Sequence, residues 1–224
     1  MVERRQAKTR IYELFAEIGK AVSSASRLEL IDLLSQAPRT VEDLAEQTHL
    51  SMANTSQHLQ RLKATGFVTS EREGTYIRYR LADPAVARLW LELRAVGERQ
   101  LAEIEQAVDA YRTQRSEFET ISVDELEDRL RRAEVLLIDV RPREEYEAGH
   151  LPHAISVPID EFAEHMEELP RDKTVVAYCR GPLCVYADEA IDLLRNGGWL
   201  AVRFEEGVNE WTLSGRELER DGNS

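Results

Sequence analysis

Cys179 and Cys184 are the only cysteines in a chain of 224 residues, and they stand five positions apart. That is no disulfide framework for a secreted fold, and a four-ligand zinc site needs more Cys or His than this neighbourhood offers. The two thiols therefore serve chemistry in a reducing compartment, or nothing. Cys179 follows the apolar run Thr174-Val-Val-Ala-Tyr178 directly and precedes a helix beginning near Val185. A loop at such a strand-to-helix junction curls its N–H groups around the sulfur at the positive end of the helix. Such a site favours thiolate over thiol and equally suits an oxyanion such as thiosulfate. Arg180 is expected to add a fixed positive charge beside the sulfur. Pro182 contributes no N–H, so the cradle has one donor fewer.

The elements that must position this loop read as α/β. Val135-Leu-Leu-Ile-Asp-Val140 and Thr174–Tyr178 are continuous apolar runs, as strands buried on both faces are. Amphipathic helical stretches near Asp124–Arg132, Asp160–Glu168 and Ala187–Asn196 separate them, which points to an open sheet from about Ile121 onward. Asp139 falls at a strand end, where a carboxylate can hold neighbouring loops. Trp211 reads as core packing.

Ahead of this lies a different pattern. Ile11, Leu14, Phe15 and Ile18 repeat at helical spacing, as do Leu28, Ile31 and Leu34. Thr40-Val-Glu-Asp43 starts a helix in capping-box fashion, with Asp in the Glu/Gln slot. After a break at His49-Leu50, Ser51 caps a second helix with Leu59 and Leu62 on one face, which Gly66 ends. Two short helices joined this way make a helix-turn-helix. Phe67-Val-Thr-Ser70 and Tyr76–Leu81 then alternate around Glu73-Gly74 as a hairpin, or wing. From Pro84 a long helix is expected to about Arg112, with Trp90, Leu93, Leu101 and Ile104 on a stripe. The stripe suits pairing across a homodimer; the alternative is packing on its own domain. The polar stretch Thr113-Gln-Arg-Ser116 marks a linker.

With Leu59 and Leu62 facing inward, Asn54, Thr55, Gln57 and His58 are expected toward solvent, where they reach base edges of DNA. Arg61, Lys63, Arg72 and Arg78 suit phosphates. The net charge of −13 does not oppose this reading. Residues 1–118 hold 17 Lys+Arg and 17 Asp+Glu, while residues 119–224 hold 12 and 25, so all net acidity lies in the second half. Residues 51–80 carry five basic against two acidic residues. The alternative is a helical interaction domain whose basic residues are merely solvated.

The first half resembles the ArsR/SmtB family of winged-helix repressors over roughly residues 9–110, most specifically in Ser56-x-His58-Leu59-x-x-Leu62-x-x-x-Gly66 and the wing after it. The resemblance implies a homodimer that lays the second helix of the motif in the major groove. Many members sense metals through Cys or His pairs. Here residues 1–178 contain no Cys and His49 and His58 lack ligand partners at helical spacing, so no metal site is expected.

The second half resembles the rhodanese superfamily over roughly residues 120–220. The resemblance is carried by Leu137-Ile-Asp-Val-Arg141, Glu144-Glu-Tyr-x-x-Gly149-His-Leu-Pro152, Tyr178-Cys-Arg-Gly-Pro-Leu-Cys184 and Glu206-Gly-x-x-Glu-Trp211. It implies sulfane-sulfur transfer with Cys179 as the residue that becomes a persulfide. Gly181, Pro182, Leu183 and Val185 would complete the loop, with Asp139, Arg141 and His150 as supporting positions. The six residues from Cys179 to Cys184 match the shorter loop of sulfurtransferases. Cys184 is open to two readings. As a second thiol it attacks the persulfide and releases sulfide, leaving a disulfide or a polysulfide bridge; otherwise it is a small buried hydrophobe.

The expected architecture is thus multidomain: a mainly-α winged helix-turn-helix at 1–112, a linker at 113–120 and an α/β open-sheet rhodanese domain at 121–224. The expected function is a DNA-binding transcriptional regulator whose rhodanese half senses or transfers reactive sulfur. Its partners would be double-stranded operator DNA, a sulfane-sulfur donor (persulfide, polysulfide or thiosulfate) and a second copy of the chain. The alternative is a sulfurtransferase enzyme whose helix-turn-helix half is only a dimeriser or tether. No cofactor is expected. The charged first residues, with no apolar signal core behind them, and the lack of any apolar run near the ~20 residues of a membrane span argue for the cytoplasm.

Overall fold

Thr40 and Asp43 cap one another. The Asp43 N–H donates to Thr40 Oγ1 (3.2 Å) and the Thr40 N–H to Asp43 Oδ2 (3.1 Å), so a helix starts where the sequence pattern marks it. The computed structural model describes residues 2–112 and 119–220. Its chain divides into two units, Met1–Arg94 and Ala95–Ser224.

The first unit runs α1 (Val2–Ala21), α2 (Ala25–Gln36), β1 (Arg39–Thr40), α3 (Val41–Thr48), α4 (Met52–Ala64), β2 (Val68–Glu73), β3 (Tyr76–Leu81) and the first part of α5 (Pro84–Gln100). β2 and β3 pair antiparallel from Val68 opposite Leu81 to Glu73 opposite Tyr76, and β1 adds on the far side of β3. Gly74, at φ +61°, supplies the left-handed position of the two-residue turn. Ser51 caps α4 by accepting from the Asn54 N–H at 3.3 Å. Leu30, Ile31, Leu44, Leu59, Leu62 and Phe67 form the core, and full burial of each such side chain stabilises by about 2 kcal/mol. α1 is different, because every described side chain from Glu3 to Lys20 is exposed. Its anchor is the buried Arg27 on α2, whose guanidinium takes the last carbonyls of the helix, Lys20 at 2.8 Å and Ala21.

Two expectations about the long helix are corrected. It does not run unbroken to Arg112: α5 ends at Gln100 and α6 (Ala102–Arg112) begins after a break at Leu101. A Cβ on Gly97 would stand 2.9 Å from Ile104 Cδ1, whereas residues seven apart on a straight helix are separated by about 10.5 Å along its axis. Trp90 also leaves the expected seam. It packs on its own core and donates Nε1–H to Asp32 at 2.7 Å. Leu93, Leu101 and Ile104 stay exposed.

The second unit continues from α6 with β4 (Thr120–Ile121), α7 (Val123–Arg131), β5 (Val135–Asp139), α8 (Arg143–Ala148), β6 (Ile155–Ser156), α9 (Phe162–His165), β7 (Thr174–Tyr178), α10 (Tyr186–Asn196), β8 (Ala201–Phe204) and α11 (Val208–Leu213). Every strand pair is parallel, in the order β4-β8-β7-β5-β6. One side of the sheet (Ile138, Val175, Ala177, Ala201) buries against Ala190, Ile191 and Leu194 of α10. The other (Leu137, Val176, Val202, Phe204) buries against Leu126, Tyr146 and Trp211. Two covered faces explain the uninterrupted apolar runs. Of the linker expected at 113–120, residues 113–118 lie outside the described residues, and Thr120 already belongs to β4. Among the described residues no helix is long and apolar enough to cross a membrane.

Candidate functional site

The loop between β7 and α10 leaves the C-terminal edge of the sheet, where open parallel sheets place their chemistry. Cys179 ends the apolar face of β7 and is 1% exposed. Cys184 closes back on it: the two sulfurs are bonded, with Cα atoms 6.2 Å apart. The loop is held from three directions. Gly181 takes φ +133°, and a Cβ there would meet the Glu210 carboxylate at 3.0–3.3 Å. Gly207 packs so closely on the Arg180 carbonyl that any Cβ would overlap it. Arg203, a wholly buried side chain of β8, donates Nη2–H to the carbonyls of Gly181 (3.4 Å) and Cys184 (3.3 Å) and pairs through Nη1 with Asp188.

The charge expected beside the sulfur is already committed. Arg180 Nε donates to both carboxylate oxygens of Glu145 at 3.0 Å, and Glu145 is wholly buried. The Arg180 guanidinium also lies over the Tyr186 ring, 5.3 Å from its centre. Arg180 therefore stands in the loop as half of an ion pair. The cradle is thinner than expected as well. The Cys184 N–H is spent on the Gly181 carbonyl (3.1 Å), and the first turn of α10 carries Asp188 and Glu189 at its positive end. Leu183 and Val185 present apolar side chains to solvent, 38% and 37% exposed. Tyr111 on α6 donates its hydroxyl to the Leu183 carbonyl at 3.0 Å.

Behind the loop lies a buried polar cluster. Arg141 Nε donates to Asp139 Oδ1 (2.9 Å), Arg141 Nη2 to the Gly149 carbonyl (2.8 Å), and the Tyr178 hydroxyl to Asp139 Oδ2 (2.5 Å). The Leu151 N–H donates to the same hydroxyl at 3.0 Å. Burial works against the Arg141 charge, but Asp139 beside it raises the guanidinium above its ordinary value. Burial, and next the Asp139 charge, push the Tyr178 phenol well up. Asp139, held by Arg141, thus ties the end of β5 to Tyr178 at the end of β7. His150 stacks on Tyr146 with ring centres 3.7 Å apart and is buried. Half-buried Glu206 sits beside Gly207, and its carboxyl is pushed up by burial and then by Glu210.

Sequence reasoning missed the parts played by Glu145, Arg203, Gly207 and Glu210. Glu145, Gly207 and Glu210 lay inside the motifs that carry the rhodanese resemblance. Arg203 gave no signal, since an arginine within an apolar run reads as an exposed position.

On the first unit, Asn54 and Gln57 of α4 are exposed, as are Arg61 and Lys63. Thr55 is corrected: it is wholly buried, its hydroxyl donating to the Ser51 carbonyl at 3.1 Å, so it cannot reach a base. His58 is half-buried, and burial, then Arg27 and Arg61, hold its imidazole below the ordinary value. Lys63 Nζ donates to Ser70 Oγ (2.7 Å), joining α4 to the wing. On the wing, Arg72 folds onto the Gly74 carbonyl (3.1 Å) and Arg78 pairs with Glu73 (3.0 Å). These exposed contacts are weak enough for a phosphate to replace.

Comparison with known proteins agrees with both halves. The family model for the rhodanese-like domain matches residues 122–214, and that for the bacterial regulatory protein, arsR family, matches residues 24–70. The HTH-type transcriptional regulator Rv0324 of Mycobacterium tuberculosis is 40% identical over 215 residues, spanning 96% of this chain and 94% of the relative. The HTH-type transcriptional repressor SmtB of the same species is 35% identical over 82 residues, 37% of this chain and 61% of the relative. Among solved structures, the homodimeric winged helix-turn-helix DNA-binding domain of Mb0332 from Mycobacterium bovis is 38% identical and covers 42% of this chain and 87% of that one, with a TM-score of 0.40. The chain belongs to the arsR family of bacterial transcriptional regulators, in a form that carries a rhodanese-like domain behind its helix-turn-helix.

Proposed function

We propose that this regulator binds double-stranded operator DNA as a homodimer in the cytoplasm and adjusts that binding to reactive sulfur through Cys179. The observation that carries the sulfur half is the closure of Cys184 onto Cys179 within one loop. In the proposed cycle the Cys179 thiolate attacks the sulfane sulfur of a donor R–S–SH. The donor S–S bond breaks, RS⁻ leaves with the electron pair, and Cys179 carries a persulfide. The Cys184 thiolate then attacks Cys179 Sγ, hydrosulfide leaves, and the disulfide remains. Two equivalents of a small thiol reduce it and are themselves joined as a disulfide. Closing or opening the loop moves Leu183, and Tyr111, bonded to its carbonyl, passes that movement to α6.

The DNA half is supported by the exposed Asn54, Gln57, Arg61 and Lys63 along α4. The dimer is supported by the exposed apolar side chains of α1 (Ile11, Leu14, Phe15, Ile18) and α5 (Leu89, Leu93, Val96). Gel shifts on the DNA upstream of the protein's own gene, with and without polysulfide, test the reading. Polysulfide should change the affinity of wild type at least severalfold and leave Cys179→Ser and Cys184→Ser unchanged. An identical response in all three would sink it.

A further inference from the structure

The surroundings of the loop bear on which sulfur donor it takes. An anionic donor such as thiosulfate needs a cation or a ring of open N–H groups. Arg180 in the loop and Arg203, which holds two of its carbonyls, are each paired, with Glu145 and Asp188 respectively. Pro182 has no N–H, the N–H of Cys184 is turned to Gly181, and Asp188 and Glu189 occupy the start of α10. The Glu210 carboxylate lies against Gly181, with Glu206 next to it. What the loop offers outward is apolar: Leu183, Val185 and part of Pro182. Such a surface desolvates an apolar group at a gain and repels a second negative charge.

Building on the reading of Cys179 as the sulfur-accepting thiol, we propose that the donor is an uncharged organic polysulfane with small apolar substituents, R–S–S–S–R, rather than an oxyanion. The Cys179 thiolate attacks the central sulfur. The S–S bond beyond it breaks, RS⁻ departs with the electron pair, and Cys179 keeps the chain S–S–R. The Cys184 thiolate then attacks Cys179 Sγ and displaces RSS⁻. Two thiolates are oxidised to the disulfide, and the trisulfide is reduced to one thiolate and one persulfide anion, so no other oxidant is needed. Leu183 and Val185 seat the R groups, and the two arginines that hold the loop already carry carboxylate partners.

The test compares two trisulfides of similar size on the reduced full-length protein, diethyl trisulfide and bis(2-carboxyethyl) trisulfide. Each rate of Cys179–Cys184 closure is read by mass spectrometry after alkylation and divided by the same reagent's rate with 2-mercaptoethanol. The normalised rate should favour diethyl trisulfide by about tenfold. Val185→Lys, a substitution at an exposed position, should narrow that ratio several-fold. Equal normalised rates, a preference for the dicarboxylate, or a ratio unmoved by Val185→Lys would each overturn the donor assignment while leaving Cys179 as a sulfur acceptor. If neither trisulfide modifies Cys179, the assignment and the reading beneath it fall together.

Discussion

Arg203, buried in β8, donates to the backbone carbonyl of Cys184 at 3.3 Å and so ties the second cysteine to the strand beside β7. The same guanidinium neutralises Asp188. Arg203→Ala removes the cation paired with Asp188 and should cost about 3 kcal/mol, since breaking a buried pair is strongly destabilising. Arg203→Lys should recover less than half, because an ammonium cannot fork between Asp188 and two carbonyls. Urea unfolding of the three proteins checks this. A loss in Arg203→Ala no larger than that of an exposed substitution would exclude the holding role.

Base reading should lie with Gln57 and Asn54, not with Thr55. Gln57→Ala is expected to relax preference at one base position by about 1–3 kcal/mol, while Arg61→Ala should weaken binding to all sequences and lower the salt slope by about 1. Binding isotherms on operator and scrambled duplexes at several salt concentrations separate the two effects. Uniform weakening in Gln57→Ala would remove it from base contact.

An exposed helix such as α1 contributes little to a single chain but can bury its apolar stripe in a dimer. Phe15, 65% exposed, and Leu93, 42% exposed, are the positions to charge. Phe15→Glu with Leu93→Glu should leave each chain folded by circular dichroism yet shift sedimentation from dimer to monomer, because like charges would face each other in an apolar seam. A monomeric wild type would refute the pairing.

His58 makes a pH prediction. Its folded imidazole is held low, by burial first and then by Arg27 and Arg61. As pH falls through about 6.5, where an exposed imidazole protonates, the unfolded chain binds the proton before the folded one does. Stability of the first unit should therefore drop on acidification, and His58→Gln should flatten the drop. Denaturant midpoints for both proteins across that range decide it. Parallel curves would assign the loss to other groups.

Much of this was written locally. The caps at Thr40 and Ser51, the turn at Gly74 and the extent of β7 depend on residues within a few positions of one another, and the sequence carried all of them. The short strands β4 and β6 were not legible, because two residues show no periodicity and gain their place only from a neighbour's ladder. β8 was hidden by Arg203, whose charge is tolerated inside because Asp188 comes to meet it.

Sequence by itself determined two domains in order, a cysteine at a strand end and a polar, basic α4. Tertiary structure decided what those residues face. Arg180 is paired because Glu145, 35 positions earlier, lies beneath the loop. Thr55 turns inward because its hydroxyl finds the Ser51 carbonyl one helical turn back as α4 packs on the core. The long helix breaks at Leu101, and Ile104 comes against Gly97. In each case the deciding partner or the packing face is set by how the chain folds back on itself. A side chain's charge and exposure follow from what that folding brings within a few ångströms, which residue type and spacing do not encode.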